Sequence, residues 1–392
     1  LPRTVIILGL VSFFNDFASD IVVPLIPILL ATVLSSGPVA LGLIEGVADA
    51  VASFLKLWSG RHSDQLHSRR KGLTLSGYIL SNLARPLLGL AGNWPLVLVL
   101  RSLDRVGKGV RSAPRDALVV DATPPEMRGY AFGFHRALDN GGAVTGSLAA
   151  AGILAYSALS LPQVILLSAI PGFIAVLTLL WGVRETTAVG IRPRAELAPL
   201  SWRGLPSPMR RYLLVLGLFT FARASETFIV LFGFQLHIGV VELLLLWAAL
   251  NLAKTATSTW GGRLADKLGR GTLLLMSWTA FAVSFLLLGN VTGNSGLWAV
   301  TIVYGLFMGM SEGAERALVG DFSSVGERGT AFGWYHMILG LTAIPAGAVF
   351  GAIWHYQSAT MAFFFASGMA ALCVLLLRAW VWPHFILNQS VP

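Results

Sequence analysis

Twelve apolar stretches, each long enough to cross a bilayer as a helix, divide this chain of 392 residues. They lie at about 4–31, 38–58, 72–92, 95–119, 130–154, 161–183, 211–233, 239–259, 271–290, 296–319, 329–353 and 360–382. With 55% hydrophobic and only 12% charged residues, the chain is far more apolar than a soluble domain. The expected fold is an all-α polytopic membrane protein.

The net charge of +9 would point to nucleic acid in a soluble protein. Here its placement follows the rule that Lys and Arg collect in loops on the cytoplasmic side. The segment RHSDQLHSRRKG after the second span, the linker holding Arg184, Arg192, Arg194, Arg203, Arg210 and Arg211 after the sixth, and RLADKLGRG after the eighth carry the excess. The opposite loops TVLSSGPV, AGNW, YSALSLP, GNVTGNSG and WHYQSAT hold no Lys or Arg. Both termini and the linker are therefore expected in the cytoplasm, with the protein in a prokaryotic inner membrane. No signal-peptide pattern opens the sequence. A lone cysteine, Cys373, sits inside the last span, so neither a disulfide framework nor a thiolate metal site can be built.

The two halves repeat. DALVVDATPPEMRGYAFGF (116–134) aligns without gaps on RALVGDFSSVGERGTAFGW (316–334), pairing Asp121 with Asp321 and Arg128 with Arg328. Ala18-Ser19-Asp20 matches Ala224-Ser225-Glu226, which puts an acid at one depth in spans 1 and 7. GRLADKLGR (262–270), and the weaker GRHSD (60–64) followed by Arg69, Arg70 and Lys71, resemble the cytoplasmic loop signature of the major facilitator superfamily. Arg105-Val-Gly-Lys-Gly109 resembles that family's span-4 motif, whose Arg has been linked to proton transfer in other members. Gly133, Gly142 and Gly146 stand at the spacing of its span-5 glycine motif, with Ser147 where exporters have Pro. The resemblance implies twelve transmembrane helices in two pseudo-symmetric six-helix bundles, 1–183 and 211–392, joined by a cytoplasmic linker, 184–210. It also implies a cytoplasmic gate formed by Asp64, Arg69, Asp266 and Arg270, and a central cavity lined partly by spans 1, 4, 7 and 10.

The remaining question is which charges do chemistry. An ionised side chain at the bilayer centre costs at least about 2.5–3.5 kcal/mol, so it faces the bundle interior or water and has a partner. In RSLDRVGKGVRSAPRD (101–116) seven charged residues fall within an arc of about 140° on one helix. Arg105 and Lys108, near mid-span, are candidates to line an aqueous cavity, with Arg136, Arg223 and Lys254 as further substrate-binding cations. Arg111, Arg115 and Asp116 read as local pairs, and Asp104 as a partner of Arg101 or Lys108. A carboxylate whose surroundings alternate between poorly solvated and cationic can carry protons. Asp20 and its repeat mate Glu226 are the first candidates, followed by Asp16 and by the His135 and Asp139 pair, one helical turn apart.

No phosphate-binding loop, zinc motif or Cys-His cluster is present in the sequence, so no cofactor or resident metal is expected, and no enzyme activity. The expectation is a monomeric secondary transporter, driven by protons through alternating access, moving a small anionic or zwitterionic solute. The alternatives are export of a drug or siderophore, or carriage of a divalent metal ion.

Overall fold

The computed structural model describes residues 1–63, 70–124, 127–183, 201–223, 225–321 and 328–382. They form helices joined by short turns, with no strand among them. Nine of the twelve expected spans are single long helices: α3 (Pro38–Ser63), α4 (Arg70–Leu87), α5 (Trp94–Asp121), α6 (Arg128–Tyr156), α11 (Val240–Leu268), α12 (Arg270–Leu288), α13 (Asn294–Asp321), α14 (Arg328–Tyr356) and α15 (Ala359–Leu376). The other three are broken. Span 1 is α1 (Arg3–Val22) and α2 (Ile26–Thr32), span 6 is α7 (Leu161–Leu167) and α8 (Ala169–Gly182), and span 7 is α9 (Ser207–Ala222) and α10 (Thr227–Gln235).

The breaks have different causes. In span 1 a 3₁₀ turn, Val23–Leu25, carries Pro24, and Pro27 follows at the start of α2. Proline has no N–H to continue the α-helical ladder and its ring crowds the preceding turn. Span 7 has no proline at its break. The α9 helix ends at Ala222, and the cap Arg223 leaves helical geometry at φ −84°, ψ 64° before α10 restarts at Thr227.

Among the described residues, eight helical stretches are both long and apolar enough to cross a membrane. The helices α4, α5 and α6 fall short of that measure because charged, polar and glycine residues dilute them. One expectation is corrected. The motif GRLADKLGR was placed in a loop, but α11 runs on through Leu268 and turns only at Gly269, whose φ of +83° is open to glycine. The stretch Gly60–Ser63 likewise completes α3. Helical propensity of Arg, Leu, Ala and Lys carries the helix past the end of the apolar run.

The chain forms two compact units. The first holds Leu1–Ser36, Val47–Leu197 and Gly239–Ala248; the second holds Gly37–Gly46, Ala198–Ile238 and Ala249–Pro392. In the first, α1 packs along α6 and α4 along α5. The α1–α6 approach depends on glycine: a Cβ on Gly142 would stand 2.2 Å from the Phe13 carbonyl oxygen, and one on Gly146 2.3 Å from that of Phe17. Small residues allow such backbone contact where lipid supplies no hydrophobic drive. The second unit has an aromatic core. Phe219 and Trp278 stack at 3.9 Å, and Phe281, Phe285 and Phe363 continue the packing edge-on or stacked.

Candidate functional site

Each unit encloses its own set of charged side chains. In the first, Arg85 of α4 is central. Its Nε donates to Asp104 Oδ1 of α5 at 2.8 Å, and its Nη1 donates to the carbonyl and side-chain oxygens of Asn15 at 2.9 and 3.0 Å. Asn82 joins them, accepting from Arg85 at 3.2 Å and donating to Asn15 Oδ1 at 3.3 Å. Arg101 pairs with the second Asp104 oxygen at 3.4 Å. All of these groups are buried.

The charged stripe of span 4 therefore divides. Arg101 and Arg111 are buried, at 1% and 3% exposure, and do not line a water-filled passage. Arg111 is held by Ser81 Oγ and by the face of Tyr78, with 4.5 Å to the ring centroid. Arg115 pairs with its neighbour Asp116 at 2.9 Å, as the local reading expected. Asp104 takes Arg101, as one of its two expected partners, and Arg85, which was not foreseen; Lys108 is not its partner.

Lys108 is different. It is exposed, and its ammonium makes no ion pair or hydrogen bond among the described residues. The charges acting on it are Arg105, Lys56, Asp16 and Arg111, from α1, α3 and α5. Arg105 is half-buried, with a buried Nε that has no hydrogen-bond partner.

The acids of this unit are distributed around the same helices. Asp16 accepts from Asn15 Nδ2 at 2.9 Å. Asp20, at the end of α1, accepts from the Trp247 indole of α11 at 2.9 Å. His135 and Asp139 do come together, but at 3.7 Å between Nδ1 and Oδ2 they stand beyond hydrogen-bond reach. His135 Nε2 is bonded to Ser12 Oγ at 2.9 Å, and Asp139 Oδ1 is buried without a partner. Arg136 points to an exposed position.

In the second unit the break in span 7 separates two ion pairs. Arg223 donates to Glu315 of α13 at 3.1 and 3.3 Å, and Trp278 Nε1 approaches the same carboxylate at 3.4 Å. Glu226, three residues on, accepts from Lys254 of α11 through Oε2 and from the Tyr304 hydroxyl of α13 through Oε1 at 3.0 Å. The structure thus joins Glu226 and Lys254, two residues that the sequence suggested for separate roles.

Of the expected gate, Asp64 and Arg69 lie outside the described residues, as does the Asp266 side chain. Arg270 opens α12 and is half-buried. A neighbouring contact is present instead: Arg70 is bonded to Asp121, the residue that pairs with Asp321 in the repeat. Sequence reasoning missed Arg85, Asn15, Trp247 and Tyr304. A charge inside span 3 was signal enough for Arg85. Nothing in the sequence marked Asn15, Trp247 or Tyr304 as partners, because their bonds link distant helices.

The sequence model described as Major Facilitator Superfamily matches residues 8–253 and 227–386. An uncharacterised MFS-type transporter of Methanocaldococcus jannaschii is 30% identical over 387 residues, covering 96% of this chain and 94% of that protein. Among solved structures, a POT family transporter in complex with 5-aminolevulinic acid superposes with a TM-score of 0.80 at 12% identity, covering 97% of this chain and 96% of that one. A human organic anion transporter superposes with a TM-score of 0.68 at 18% identity, covering 96% and 99%.

Proposed function

This chain belongs to the major facilitator superfamily of membrane transporters, and from that premise we propose that it moves a small anionic or zwitterionic solute, coupled to protons, by alternating access. The observation that carries the substrate class is Lys108. A cation in the middle of a span, making no ion pair among the described residues, is costly unless an anionic group completes it in some state of the cycle. Arg105, one turn before it, adds a second positive charge.

Proton coupling rests on acids whose partners can change. Asp20 accepts from the neutral Trp247 indole, and Glu226 from Lys254 and Tyr304. Asp16 lies within the reach of the Lys108 charge and of Asp139, which faces His135 at 3.7 Å. A proton bound to such a carboxylate changes which donor it holds, and that change is what a transport cycle needs to link proton to solute. The two halves, 1–183 and 211–392, act as the moving parts with 184–210 as linker, in a monomer of the inner membrane with both termini cytoplasmic. The gate is assigned to Asp64, Arg69, Asp266 and Arg270.

The metal alternative finds no specific support, since among the described residues no three His, Cys, Asp or Glu gather as a set that could hold an ion. The likeness to an organic anion transporter and to one binding 5-aminolevulinic acid, itself a zwitterion, agrees with the proposal in kind, though at these identities it carries the fold alone.

The test is a thermal-shift screen of the purified chain across organic anions, amino acids and divalent metals, followed by reconstitution with a pH-sensitive dye in the lumen. An organic anion or zwitterion that stabilises the protein and carries protons with it supports the reading. Stabilisation by metal ions alone removes it.

A further inference from the structure

The Glu226 carboxylate is bound the way a foreign carboxylate would be. One oxygen takes the Lys254 ammonium and the other takes the Tyr304 hydroxyl, so both are engaged by donors from two different helices, α11 and α13. The host of this carboxylate is not a regular helix but the restart of span 7, where α9 has ended at Ala222 and α10 begins at Thr227. Backbone there is freed from the helical ladder, and discontinuous spans are where transporters build binding sites.

Both charged partners of this pair are accessible, whereas in the neighbouring pair only Arg223, at 30%, is. The Glu226 and Lys254 side chains are 23% and 24% exposed, whereas Glu315, which holds the neighbouring Arg223, is 3% exposed. Tyr304 is almost fully buried, at 1%, and so presents its hydroxyl from a fixed position. A fixed neutral donor beside a mobile cation is a common arrangement for a carboxylate, and charge-assisted bonds of this kind are the stronger ones.

We infer that Lys254 and Tyr304 are the carboxylate-binding pair for the transported solute, and that Glu226 occupies them as an internal substitute until a proton neutralises it. The inference rests on the anion reading above and narrows it to solutes bearing a carboxylate. In the step, the Glu226 carboxylate takes up one proton and becomes a carboxylic acid. Its attraction for the Lys254 ammonium falls, the solute carboxylate takes the two donors, and the net charge of the cluster is the same before and after. Release of the solute lets Glu226 lose its proton and return to Lys254. The charged groups near Glu226 are Lys254 from α11 and Arg223 across the break, the latter engaged by Glu315 of α13; Tyr304 supplies the titratable hydroxyl.

This differs from a static ion pair in what Glu226→Gln should do. A static pair broken on one side weakens the protein and gains nothing. An internal competitor, once neutral, leaves its donors permanently available, and the apparent affinity rises because the competent state is no longer a minor one. The experiment uses the full chain in detergent, with thermal stabilisation by matched carboxylates and carboxamides: acetate and acetamide, benzoate and benzamide, glycine and glycinamide.

The expected result is that Glu226→Gln binds a carboxylate of this set about tenfold more tightly than the unaltered protein, with no gain for its amide and no remaining dependence on pH. Adding Lys254→Met to Glu226→Gln should abolish the carboxylate effect. That double variant has no stranded charge, so its melting temperature without ligand controls for folding. Tyr304→Phe should weaken carboxylate binding alone. If no carboxylate is preferred to its amide by Glu226→Gln, or if Lys254→Met leaves the preference intact, the inference is overturned. Proton-linked movement of an organic anion in the same preparation would then leave the broader reading standing, and movement of none would remove that reading separately.

Discussion

Arg85 of α4 donates to Asp104 of α5 at 2.8 Å, and the two side chains are buried, at 3% and 1% exposure. Asp104 also serves Arg101, and Arg85 also holds Asn15, so one carboxylate and one guanidinium join α1, α4 and α5. Removing one partner of a buried pair is far more damaging than the pair is stabilising, because the other charge is left without compensation.

Asp104→Asn should therefore destabilise the protein by about 3–5 kcal/mol, read as a large fall in melting temperature in detergent. Asp116→Asn is the comparison: its carboxylate is 48% exposed and paired only to the adjacent Arg115, so its loss should be small. Equal falls for both variants would contradict the role assigned to Asp104.

The glycines of α6 separate packing from motif. Gly142→Ala places a Cβ 2.2 Å from the Phe13 carbonyl oxygen, backbone that cannot move aside locally, so α6 must shift from α1 at a cost of about 1–3 kcal/mol. At Gly133 nothing lies within 4 Å of a Cβ, and Gly133→Ala should be tolerated. Melting temperatures of the two variants, side by side, are the check.

Much of the fold was legible because it follows from one quantity, the length of apolar runs, which the bilayer itself sets. Span 4 shows the limit. Its seven charges declared that the helix faces inward, but a helical arc cannot say that Arg111 is capped by Tyr78 while Lys108, three residues earlier, is left without an ion pair among the described residues. That depends on what α4 presents to each position. The repeat aligned Asp20 with Glu226, yet their partners differ, an indole for one and a lysine with a tyrosine for the other. Partners across helices are set by tertiary packing and leave no spacing to read.

For coupling, Asp20→Asn and Glu226→Gln keep side-chain shape and an acceptor oxygen but cannot cycle a proton. Each should impair solute-driven lumen acidification in proteoliposomes more than it lowers the melting temperature. Unchanged dependence on the proton gradient in both would take these residues out of that role.

Topology has its own test. Cys373 is buried, so the unaltered chain should be silent toward a membrane-impermeant thiol reagent. Ser201→Cys, in the linker, should react only from the cytoplasmic side, and Ser295→Cys, at the start of α13, only from the opposite side; both positions are exposed. Reaction of both from one side would refute the orientation.

The most direct measurement of the central claim is Lys108→Ala, followed by melting temperature and by stabilisation with the solute that stabilises the unaltered protein. Lys108 is exposed and makes no ion pair among the described residues, so its removal strands no buried partner. The account predicts a melting temperature close to the original and a loss of solute stabilisation. A large fall in melting temperature with solute affinity intact in the folded fraction would contradict it.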